Sequence, residues 1–309
     1  MLNRSTGRSL LKILVFLLAT TPLAWAPSTV CKAELPSDLL GTWQAKGEER
    51  VLRLEPERVV ESEGGRLKVR GVVCYEPGKL VLRAGLLETW TVNATGNTLH
   101  VSRGDKALEY QRLDTVPAAL ELTPLALGAP KQLPAERIEA IQKDLAARRE
   151  ADQKVRSDPA RLAQLAEVDL DNTRFLRDLV QEVGWIDVAR FGPRASVDAF
   201  LLVQHSQDLP LMLAALPFIE EDARRHKEYA QPFTLLFDRV QIDLGRKQRY
   251  GTQLRKDAEG NPMVLPLEEP EKVDERLKEL GLPPLSEYLA TASKYLFDGR
   301  EVRMPREGE

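Results

Sequence analysis

His205 is one of only three histidines in this chain of 309 residues. An imidazole titrates near neutral pH, so with a carboxylate to orient it a histidine can act as a general base. The carboxylates considered for that task are Asp208 and Asp238, and Arg239 follows Asp238 with a charge suited to clamping an anion. These residues would suit a hydrolase or a transferase. The other reading makes His205 a buried hub whose hydrogen bonds hold helix ends together. Both stay open. Zinc is not expected, because His100, His205 and His226 fall in unrelated segments with no cysteine pair beside them.

A second group, Gln248, Tyr250, Thr252 and Gln253, is polar but uncharged. On a strand the alternating members Gln248, Tyr250 and Thr252 would share a face, and Gly251 would let backbone or ligand approach closely. With Asn172, Trp185 and Gln204, this set suits a small polar ligand and equally suits internal hydrogen bonding. The chain has no Gly-x-Ser-x-Gly, His-Glu-x-x-His, P-loop or dinucleotide-binding glycine pattern. No metal or cofactor is expected.

These residues belong to an ordered series. It runs through Asp152-Gln153, Arg156, Asp169, Asp171-Asn172-Thr173, Gly184-Trp185, Gln204-His205, Asp238-Arg239, the string Gln248-Arg249-Tyr250-Gly251-Thr252-Gln253, Gly281-Leu282 and Tyr288. The series resembles the bacterial family catalogued as domain of unknown function 6624, over residues about 150–290. Ile186 stands where that family usually has proline, and Ser206-Gln207 loosens the spacing before Asp208. The family has no established activity, so the resemblance implies a fold unit rather than a reaction.

The elements that must position these groups follow from hydrophobic period. From Leu39 to Leu113 it is two, broken by turn residues such as Glu76-Pro77-Gly78, Gly96-Asn97 and Gly104-Asp105. About eight short strands of this kind predict a small antiparallel barrel or sandwich over 34–115. Leu39-Leu40-Gly41-Thr42-Trp43 resembles the opening strand of lipocalin-like domains, which implies a tryptophan across the barrel floor. Residues 116–133 carry Pro117, Pro124 and Pro130 without a period and read as a linker. From 134 to 297 the period becomes 3.6, predicting a mainly helical domain with one hairpin over 249–255 and 263–267. Within it Asp171-Asn172-Thr173 reads as a helix cap, and Gly184 as a stop. Residues 298–309 are polar and read as a frayed tail. The whole is an α+β chain of two domains.

Composition narrows the partners. Hydrophobic content of 43% suffices for a core, and a net charge of −3 argues against a nucleic-acid binder. Residues 1–33 hold Arg4, Arg8, Lys12 and Lys32 and no acid, so the remainder is more acidic still. Arg4, Arg8 and Lys12 precede the apolar run Ile13 to Ala26, of about 14 residues against the roughly 20 that span a bilayer. That is the pattern of a cleaved secretory signal, with cleavage after Ala26 or Ala33, so membrane contact is expected only through this segment. With Cys31 removed, Cys74 would remain as a buried free thiol. The expectation is a secreted or periplasmic protein that binds or scaffolds a small polar ligand or an envelope component; a hydrolase or transferase built on His205 is the alternative.

Overall fold

Glycines at 47, 78, 96 and 104 take positive φ at the tips of tight turns, and between them the chain runs as strands. They are β1 (Gly41–Ala45), β2 (Arg50–Leu54), β3 (Arg58–Glu63), β4 (Arg66–Glu76), β5 (Lys79–Ala84), β6 (Leu86–Thr95), β7 (Thr98–Arg103) and β8 (Lys106–Leu113). The computed structural model describes residues 34–305 except 65, 85 and 258, and the expected signal segment lies outside the described residues. Each strand pairs antiparallel with the next, and β8 returns to β1 through Thr42↔Leu113 and Ala45↔Tyr110. The meander therefore closes as an eight-stranded barrel, not a sandwich. Closure leaves no unpaired edge.

Alternation fills the barrel from inside. Leu52, Val59, Leu80, Leu82, Trp90, Leu99 and Tyr110 are all buried within it. Trp43 lies at one end, donating from Nε1 to the Leu39 carbonyl (3.1 Å), with the Arg112 guanidinium 4.0 Å above its ring. On β3, Glu61 is wholly buried and meets Arg70 (2.9 Å), Arg103 (2.8 Å) and Arg50 (3.7 Å). The Arg103 guanidinium also sits 3.6 Å over the Trp90 ring. Cys74 follows a register shift in β4 and is disulfide-bonded. A free thiol at this position is the expectation only for a chain that has lost Cys31.

The second unit holds seven α-helices: α1 (Ala135–Ser157), α2 (Leu165–Val183), α3 (Val188–His205), α4 (Leu209–Arg225), α5 (Ala230–Asp243), α6 (Val273–Glu279) and α7 (Leu285–Leu296). Side-chain caps start several elements. Asp158 accepts from Ala160 N at the turn before α2, Asp187 from Arg190 N at α3, and Asp208 from Leu211 N at α4. Gly184 closes α2 with φ 79°. Asp171-Asn172-Thr173 is not a cap. It lies inside α2, where Thr173 Oγ1 donates back to the Asp169 carbonyl (2.6 Å). A two-stranded ribbon, β9 (Leu254–Lys256) with β10 (Pro262–Val264), replaces the longer expected hairpin. Of the polar tail, Val302 is buried and Arg303 N donates to the Pro262 carbonyl, so 302–303 run beside β10.

The proline-rich segment docks on the helices: Leu125 N bonds to the Pro210 carbonyl and Gly128 N to that of Val180. Val60 and Val69 of the barrel join the helical core. At the same junction Gly71 and Gly245 pass backbone to backbone, so close that a Cβ on Gly71 would stand 2.3 Å from the Gly245 oxygen. No side chain fits there without parting barrel from helices. Among the described residues, no helix is long and apolar enough to cross a membrane.

Candidate functional site

Asp238 is fully buried on α5 and organises the segment that follows. Its Oδ1 accepts from the backbone N–H of Arg249 (2.8 Å) and Tyr250 (3.0 Å). Its Oδ2 accepts from Thr252 N (2.9 Å) and from Thr252 Oγ1 (2.9 Å). Burial pushes this acid up to about 6, against four donors that favour the carboxylate. Three N–H groups turned toward one carboxylate cannot also belong to a strand. Residues 248–253 are therefore a loop, and the expected common face of Gln248, Tyr250 and Thr252 does not form.

The glutamines of the motif serve the same loop. Gln248 is fully buried, donates from Nε2 to the carbonyls of Gln253 (3.0 Å) and Leu265 (2.7 Å), and accepts from Gln253 N (2.8 Å). Gln253 Nε2 and Gln204 Nε2 both donate to the Leu235 carbonyl, at 3.2 and 3.4 Å. These amides replace the ladder bonds that a strand would have supplied.

Tyr250 and Thr252 instead reach an open cleft of about 540 Å³ between the loop and α7. Its floor is Leu277, Leu282 and Leu285, and its rim carries Thr291, Lys294 and the half-exposed Tyr295. The Tyr250 ring is held edge-on by Phe233 and Phe237, with centroids 5.9 and 5.5 Å away. Tyr288, also on the wall, donates from its hydroxyl to the Thr252 carbonyl (2.8 Å).

His205 ends α3 in a different constellation. Its Nδ1 lies 3.0 and 3.1 Å from the two oxygens of Asp152, a fully buried carboxylate on α1. Asp208, its sequence neighbour, caps α4 and pairs with Arg177, and Asp238 serves the loop. The carboxylate on His205 is thus neither candidate named from the sequence. Arg156, one turn beyond Asp152, bonds to it (3.0 Å) and also to Asp169. Asp152, Arg156 and Asp169 stand in the ordered residue series, but 53 positions separate Asp152 from His205 and no local period links them. Asn172 accepts from Arg148 at Oδ1 (3.1 Å), while its Nδ2 is buried without a partner, as is Trp185 Nε1.

Burial lowers the His205 pKa more than Asp152 raises it, and Arg156 adds to the lowering. Burial works against the Asp152 carboxylate, but bonds and charge from His205 and Arg156 outweigh it and hold that acid below its usual value. The pair joins Nδ1 of His205 to the Asp152 carboxylate, with no bond to Nε2 among the described residues. Its contribution is fully present above the ordinary imidazole value of 6.5 and is lost as pH falls through the lower folded value. His205→Ala strips a donor from buried Asp152 and is expected to destabilise by about 1–3 kcal/mol. Melting curves from pH 5 to 8 check both points. A variant as stable as the parent, with the same pH slope, would contradict them.

The model of a family of unknown function, DUF6624, matches residues 135–296, which leaves the barrel outside the match. No curated protein and no solved structure matches the chain.

Proposed function

Since the chain belongs to DUF6624, a family of unknown function, we propose its role from geometry: an exported envelope protein that binds a small ligand in the cleft beside α7. The cleft carries this reading. It offers an apolar floor under a polar rim, the usual make-up of a small-molecule site. Most of the polar motif residues are occupied in shaping its wall. Export is supported by the basic head and short apolar run of residues 1–33. The disulfide at Cys74 fits an oxidising compartment and, with two cysteines in the chain, goes with a signal cleaved after Ala26, which keeps Cys31.

Ala290, exposed on the cleft lining, allows a direct test. Ala290→Trp fills the cleft without removing a hydrogen bond, and its own effect on stability should stay within about 0.5 kcal/mol. A screen of metabolites and envelope polymers by thermal shift should find a binder whose stabilisation disappears in this variant. No binder, or binding that survives the tryptophan, would overturn the reading.

The Asp152–His205 pair favours a second reading, a hydrolase or transferase. With Nδ1 on a carboxylate and Nε2 unbonded, His205 has the arrangement of a general base. Loss of turnover without loss of ligand binding in His205→Gln would select it.

A further inference from the structure

Arg239 is the exception among the buried charges. It is 9% exposed on α5, yet none of its nitrogens hydrogen-bonds to a described residue, and Nε is covered and unpartnered. Its neighbours are already committed. Asp152 holds His205 and Arg156, Asp169 holds Arg156, and Asp238 holds the 248–253 loop. Asp243, one turn further along α5, acts on Arg239 by charge without forming an ion pair within 4.0 Å. A guanidinium whose Nε is sealed from water and left unpaired is costly, and folds ordinarily supply a partner.

Other unpartnered atoms stand on α2 and α3. Arg156 and Asp169 are close enough for their charges to act on Arg239. Asn172, three residues after Asp169 on α2, keeps Nδ2 buried and unbonded. Gln204 bonds to the Leu235 carbonyl, one turn before Arg239 on α5, and keeps Oε1 unbonded. Arg239 Nε and Asn172 Nδ2 bond to no acceptor among the described residues. The guanidinium fork matches the oxygens of a phosphate or carboxylate.

We infer that Arg239 anchors a small oxyanion, phosphate or carboxylate, in company with Arg156 and Asn172. This site goes beyond the cleft reading and stands without it.

The test titrates the full chain with inorganic phosphate and with acetate at constant ionic strength, read by calorimetry and thermal shift. Saturable binding of one of them is expected, and which one binds identifies the source of the oxygens. Arg239→Met should weaken that binding by about 10- to 100-fold, while in anion-free buffer it melts no lower than the parent. Ala290→Trp should bind the anion unchanged, so failure of the cleft reading remains distinguishable. Three results would overturn the assignment: no saturable binding of either anion, undiminished binding by Arg239→Met, or an Arg239→Met chain that melts lower without anion. Loss of anion binding in Ala290→Trp would move the ligand to the cleft and overturn it as well.

Discussion

Asp238→Ala is expected to remove about 3–6 kcal/mol from the helical unit and to release the 248–253 loop. The carboxylate accepts from the N–H groups of Arg249, Tyr250 and Thr252 and from the Thr252 hydroxyl. Alanine leaves all four donors without an acceptor in a place closed to water. Each orphaned buried group costs about 1–3 kcal/mol, and groups sharing one acceptor add incompletely. Asp238→Asn should recover part of the loss, because its oxygen can still serve one pair of donors while its NH₂ opposes the other. Denaturant unfolding gives the magnitude, and amide exchange at Arg249, Tyr250 and Thr252 gives the location. An alanine variant within about 1 kcal/mol of the parent would show that the loop is held by its packing and not by this acid.

Glu61→Ala should destabilise the barrel by a similar amount, about 3–5 kcal/mol, because it leaves buried cations without their common partner. Arg50 and Arg70 retain Glu63 and Glu88, but Arg103 keeps only the face of Trp90. Burial opposes the Glu61 carboxylate, yet Arg103, Arg70 and Arg50 together hold its pKa below the ordinary 4.5. The stability it contributes is therefore present above that value and lost as pH falls through the lower folded one. A double variant, Glu61→Leu with Arg103→Met, should recover much of the loss, since apolar packing can replace a buried ion pair at little net cost. Equal melting of Glu61→Ala and the parent at pH 7 would mean that the three arginines hold no net stability through this residue.

The larger elements were legible in the chain. Strand alternation from Leu39 to Leu113 with glycine turns implied the barrel or sandwich, and the change of period near 134 implied the helices. The 248–253 stretch misled because Gln248, Tyr250 and Thr252 alternate as a strand would, while their neighbouring N–H groups turn to Asp238. Asp171-Asn172-Thr173 misled in the same way. Its side chains suit a helix cap, but Asn172 and Thr173 face the core inside α2, so the helix continues through them.

The sequence by itself determined what repeats or lies close along the chain: the strand period, the helix stripes, the turns at glycine and the residue series of the family. Only the tertiary structure decided which buried charges meet. His205 took Asp152 from another helix, Glu61 gathered arginines from three other strands, and Arg239 Nε was left with no acceptor among the described residues. Local elements are selected by propensity and period within a few turns, and these leave their mark on neighbouring residues. Charge pairing inside a core depends on distance in space and on the loss of water, and neither is ordered along the chain.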